Sequence, residues 1–160
     1  MSIRGVALAA TIVALAVTST RPAVAQGADP ATGALTVNGK TYALAHAAAF
    51  VDGSDSRKPI VLVLTDKALP AKALTTGSAL SMERNMNAFS GVAVWLDDKR
   101  TIFRAEYYEN GEPTATSGLF ALKLSSPPGK VLAGTIQATP AAATLKTPIK
   151  VDITFSATVK

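Results

Sequence analysis

One short run constrains this chain more than any other: Pro59-Ile60-Val61-Leu62-Val63-Leu64-Thr65-Asp66. Its apolar residues are all β-branched or leucine, and they leave no polar face. The run is too short for a typical helix. It reads as a strand buried on both sides, in the middle of a sheet. Whatever the chain folds into must cover both faces of this segment.

The neighbouring segments carry the period of two expected of strands with one face in a core. Ala34-Leu35-Thr36-Val37 alternates, and Asn38-Gly39 follows it before Lys40-Thr41-Tyr42-Ala43-Leu44. Asn-Gly between two alternating runs predicts a tight hairpin, because both turn positions need positive φ. The return strand is expected to continue to Phe50, with Tyr42, Leu44, His46, Ala48 and Phe50 on one face. Ala43, Ala45, Ala47 and Ala49 then make the other. Further strands are predicted over Gly91–Leu96, Thr101–Tyr108, Thr116–Leu124 and Val131–Ala138. In the last strand Val151, Ile153, Phe155, Ala157 and Val159 alternate with polar residues.

A long connection follows Asp66, broken by Pro70 and Gly77. Within it Ala79, Met82, Met86 and Phe89 recur at helical spacing, so one short helix is expected to cap an open end of the core. About eight short strands and at most one helix make the fold class all-β. The expected architecture is an immunoglobulin-like antiparallel β-sandwich, with a partly open barrel as the alternative.

Residues 1–25 read as a secretory signal peptide. Arg4 supplies the positive start, Gly5 to Val17 the apolar stretch, and Ala23-Val24-Ala25 the cleavage signal before Gln26. The apolar stretch falls short of the roughly 20 residues that a membrane-spanning helix needs. The expectation is therefore export to the periplasm or the medium, with no membrane insertion after cleavage. Residues 26–160 form a single domain, with Gln26 to Thr32 as a short disordered leader. Cleavage removes Arg4 and Arg21, so the formal charge falls from +5 by two. The remaining positive residues are scattered, which argues against nucleic acid as a partner. The chain has no Cys, so no disulfide supports the fold.

The segment Gly33-x-Leu35-x-Val37-Asn38-Gly39-Lys40-x-Tyr42-x-Leu44-x-His46-Ala47 resembles the start of small secreted bacterial β-sandwich proteins. The resemblance covers the first two strands. It implies an exported bacterial origin and carries no activity with it.

Catalytic chemistry is hard to place. There is no Cys and no Gly-x-Ser-x-Gly, and the single His, His46, reads as a half-buried strand residue. Asp97-Asp98 sit in a turn beside Lys99-Arg100, where turn chemistry and solvation account for them. Asp52-Gly53-Ser54-Asp55-Ser56 lacks the Gly position and closing Glu of a calcium loop. No zinc set exists with one His and no Cys. No catalytic residue, cofactor or metal ligand is therefore assigned. Two other classes remain as alternatives. One is a copper-handling protein using the thioethers of Met82 and Met86 with His46. The other is a small hydrolase with a loop-built site around His46.

The Asp97–Arg100 turn offers one surface reading. With Asp98-Lys99 as the central turn residues, Trp95 lies opposite Ile102 and Ala93 opposite Arg104. Val92, Val94, Phe103 and Ala105 then face the core, while Trp95, Ile102, Arg104 and Tyr108 point outward together. Trp beside Arg on an open sheet face is a frequent composition of binding hot spots. The connection 66–88 folding over this face is the competing expectation. The functional expectation is a non-enzymatic binding module of the bacterial envelope, with a protein or peptide partner and that patch as its surface.

Overall fold

The structure, a computed structural model, describes residues 29–116 and 118–160. The expected signal peptide and its cleavage site lie outside the described residues. Ten strands form one antiparallel sheet. They are β1 (Asp29–Val37), β2 (Lys40–Ala43), β3 (His46–Val51), β4 (Ile60–Thr65), β5 (Gly91–Leu96), β6 (Ile102–Glu109), β7 (Glu112–Thr116), β8 (Phe120–Leu124), β9 (Val131–Ala138) and β10 (Lys150–Thr158). Helix α1 (Gly77–Met86) precedes β5 and the short α2 (Pro140–Ala143) precedes β10. The strand order is β7-β6-β5-β4-β3-β1-β10-β9-β8, with β2 alongside β1. The chain is thus all-β, and its sheet curls until both halves share one core.

The run that opened the sequence reading, β4, lies between β3 and β5. Leu62 and Leu64 point into the main core with Leu35, Val94, Ile136 and Ile153. Val61 and Val63 point the other way, into a second cluster with Phe50, Trp95, Tyr108 and Leu80 of α1. The curled sheet covers one face of β4, and the helical connection covers the other.

Both Asn-Gly pairs make tight hairpins. Asn38 and Gly39 have φ of 52° and 75°, and Asn110 and Gly111 have 50° and 87°. Positive φ at both central residues suits the turn to the strand twist. After the second turn β7 begins at once, with Glu109 opposite Glu112. The strand expected over 116–124 is shorter, since β8 begins only at Phe120, and β7 stands where a turn was expected.

Three other expectations are corrected. The strand expected from Lys40 to Phe50 breaks at Leu44-Ala45. There the Leu44 N–H donates to Gly33 of β1, whereas the Ala45 N–H donates to Thr65 of β4. This handover slips the alternation: Leu44, Ala47 and Ala49 face the main core, and Ala48 and Phe50 face the second cluster. Asp29–Thr32, expected in the disordered leader, belong to β1, and Ala31 and Thr32 pair with Phe155 and Thr154 of β10. Helix α1 forms, but it lies across the outer face of the sheet rather than over an open end. Its buried residues are Leu80 and Glu83, and Met82 and Met86 are 62% and 57% exposed.

Candidate functional site: a groove beside helix α1

Helix α1 starts on two caps. The Thr76 Oγ1 accepts from the Ala79 N–H at 3.1 Å, and the Asp52 Oδ2 accepts from the Gly77 N–H at 2.9 Å. The second cap comes from the β3–β4 loop, so it ties the helix to the sheet. Asp52 also accepts from the Ser54 N–H and hydroxyl through Oδ1. Its burial opposes ionisation, yet these hydrogen bonds outweigh that cost and hold its carboxyl below the usual range.

Between α1, this loop and the outer face of β5 and β6 runs an open groove of about 810 Å³. Gly77, Ser78, Ser81, Met82, Asn85 and Met86 line it from the helix, and Asp52, Ser54 and Asp55 from the loop. The helical residues among these recur at three- and four-residue spacing, so they share one helix face. Trp95 and Arg104 line the groove from the sheet.

The sheet side is a connected set. The Arg104 guanidinium stacks on the Trp95 ring with 4.3 Å to the centroid. Its Nε and Nη2 donate to Glu106 Oε1, and the Tyr108 hydroxyl donates to Glu106 Oε2 at 3.1 Å. Tyr108 packs edge-on against Phe89 with ring centres 5.3 Å apart, and the Arg84 guanidinium lies over the Tyr108 ring, 5.7 Å from its centre. Burial, then the Glu106 carboxylate, push the Tyr108 phenol well above its ordinary value, so it stays a donor. On the loop side, Arg57 holds both oxygens of Asp55, and this pairing lowers the Asp55 carboxyl.

The four residues expected to form an open patch part company here. Trp95, Arg104 and Tyr108 do share the outer face, but Trp95 is only 5% exposed and Tyr108 1%. Residues 74–89 of the connection cover them, through Leu74, Leu80 and Phe89. Ile102 turns the opposite way, pairing with Leu96 and packing on the main core. The reason is the loop. It holds three residues rather than two, since the Asp97 N–H donates to Thr101 and Arg100 takes a φ of 63°. A register shift then follows between Trp95 and Leu96. Together these put Arg104 opposite Trp95 and move Phe103, expected in the core, to the surface. Arg104 alone of the four stays open, its side chain 56% exposed.

His46 stands at the start of β3, opposite Thr65, and is not among the residues lining the groove. Met82 and Met86 do line it, so the trio of the alternative copper reading is not gathered there. Among the described residues no three His, Asp or Glu side chains group so as to hold an ion. The Asp52–Ser56 loop, set aside above as a calcium site, supplies one wall of the groove. Its sequence signal was Asp52-x-Ser54, a side chain capping the backbone two residues on. Comparison with family models, with curated proteins and with solved structures finds no match.

Proposed function

We propose that this chain is an exported, non-enzymatic binding module of the bacterial envelope, and that the groove beside α1 receives a protein or peptide segment. The observation that carries this reading is the composition of the groove. Two exposed, flexible Met side chains stand on one wall, and a Trp-stacked Arg on another. Met is suited to adaptable apolar contact, and Trp and Arg are among the residues enriched at binding hot spots. Ser78, Ser81 and Asn85 add donors and acceptors for a peptide backbone. Export to the periplasm or medium rests on Arg4, the apolar stretch and Ala23-Val24-Ala25.

The architecture is best read as a partly open barrel. Sequence neighbours pair from β3 to β7 and from β8 to β10, and β1 joins the two sets through β3 and β10. An immunoglobulin-like sandwich has the weaker support, because it calls for Greek-key connections.

A comparative capture from envelope extract tests the binding reading, using wild type beside Met82→Ala and Arg104→Ala. A partner retained by wild type and lost by both variants is the expected result. Identical capture by all three would remove the groove from the proposal. N-terminal sequencing of the exported protein checks the cleavage, which is expected before Gln26.

A further inference from the structure

We propose that Asn38 is a site of spontaneous modification. Its side-chain amide condenses with the Gly39 backbone nitrogen, and the acid that results releases the β1–β2 hairpin from the β6–β7 hairpin. Asn110, also followed by glycine in a tight turn, is shielded from the same reaction by the fold.

The chemistry needs only water. The Gly39 nitrogen gives its proton to water and bonds to Asn38 Cγ. The Cγ–Nδ2 bond breaks, and Nδ2 leaves as ammonia with a proton taken back from water. A second water then opens the cyclic imide. Attack at Cγ leaves aspartate. Attack at the Asn38 main-chain carbonyl leaves isoaspartate, whose backbone carries an extra carbon. In sum water is consumed, ammonia is released, and nothing is oxidised or reduced. A following glycine favours the reaction, because it has no Cβ to crowd the attacking nitrogen.

The two turns differ in what holds the glycine. Gly39 stands clear: a Cβ there would meet nothing within 4 Å, and its N–H makes no hydrogen bond among the described residues. The turn is restrained by the pairing of Val37 with Lys40 and by the Asn38 side chain on Glu109. Gly111 is enclosed. Its N–H donates to the Phe89 carbonyl at 2.9 Å. A Cβ there would meet the Ala88 side chain at 3.1 Å and the Arg84 carbonyl oxygen at 3.2 Å. The Asn110 N–H donates in turn to Ser90 Oγ at 3.1 Å. Reaction at Asn110 must break both bonds and lift the turn off the segment that precedes β5. That slows it at least about tenfold relative to Asn38.

The product changes a contact between distant parts of the chain. Asn38 Nδ2 donates to Glu109 Oε2 at 2.8 Å, while the Tyr42 hydroxyl donates to Glu109 Oε1 at 3.1 Å. An aspartate in place of Asn38 sets a second carboxylate against Glu109, so a tie becomes a repulsion. Lys40 is 3.9 Å from Glu109 and largely exposed, so solvent screens it and it does not restore the tie. Isoaspartate adds length to a two-residue turn that fixes the pairing of Val37 with Lys40.

Peptide mapping by mass spectrometry tests the site, on the purified protein aged in mildly alkaline buffer. The Asn38 peptide is expected to convert to aspartate and isoaspartate at least about tenfold faster than the Asn110 peptide. In guanidinium chloride the two should convert at similar rates, since the folded turns are then gone. No conversion at Asn38, or conversion at Asn110 as fast, would overturn the proposal. The same difference persisting in guanidinium chloride would overturn it too, by placing the selection in the neighbouring residues. Thermal unfolding of Asn38→Asp beside Asn38→Gly tests the release. Both variants accept positive φ and both lose the amide. A lower midpoint for Asn38→Asp is expected and reads the added carboxylate. Equal midpoints would overturn the release.

Discussion

The guanidinium of Arg104 lies over the indole of Trp95, 4.3 Å from its centre, with the Arg104 side chain half-exposed and the ring almost wholly enclosed. One partner of this stack belongs to the core and the other to the surface. Substitutions at the two positions should therefore have different consequences.

Trp95→Ala removes a large ring from between β5 and α1, and should cost about 3–5 kcal/mol of stability. In the intact protein its fluorescence should be blue-shifted and poorly quenched by iodide. Urea unfolding and quenching measure the two. A variant within about 1 kcal/mol of wild type would mean that α1 does not cover this face.

Leu62→Ala empties a site at the centre of the main core, where the residue is fully buried. The expected loss is about 2–5 kcal/mol. A chemical denaturation midpoint equal to wild type would deny β4 its central place.

Gly91 begins β5 directly against β4, where an added Cβ would stand 2.1 Å from the Leu64 carbonyl oxygen. That neighbour is backbone, paired on both sides of β4, and cannot turn away as a side chain could. Gly91→Ala should destabilise by about 3 kcal/mol. Thermal unfolding provides the check, and an unchanged midpoint would show that β4 and β5 separate more easily than their ladder suggests.

Asp52 should leave a mark on the acid limb of stability. Its carboxyl is held below the usual carboxylate range in the folded protein. Such a group stabilises fully above its unfolded pKa, and that contribution is lost as pH falls through the lower folded value. Below about pH 4, stability should drop more steeply in wild type than in Asp52→Asn. At neutral pH the variant should be weaker by about 1–2 kcal/mol. Its single acceptor oxygen cannot serve both Gly77 and Ser54 as two carboxylate oxygens do. Thermal midpoints between about pH 2 and pH 7 test both parts. Parallel pH profiles would remove Asp52 from the acid response.

Local chemistry was enough to read the Asn-Gly turn and the plainest strands, β4 and β10, from the sequence. Asn38-Gly39 and Asn110-Gly111 turn where the chain must take positive φ, and no distant residue is needed to say so. The period of two in β10 and the unbroken apolar run of β4 likewise state how many of their faces are buried. The outward side of Trp95, Arg104 and Tyr108 was legible for the same reason. Its exposure is left open by the sequence, where cover by the connection 66–88 competes with an open patch, and the structure decides it through Leu74, Leu80 and Phe89. The placement of Ile102 and Phe103 was not legible, since it hangs on Arg100 adopting φ of 63° and on one register shift. A single residue of slip reverses every side chain beyond it. The groove is decided at the same level. Met82 and Met86 are apolar by composition, yet Leu80 and Glu83 take the buried side of α1. The Asp52 cap on Gly77 fixes where that helix starts on the sheet, and the pairing of residues so far apart in sequence exists only once the chain has folded.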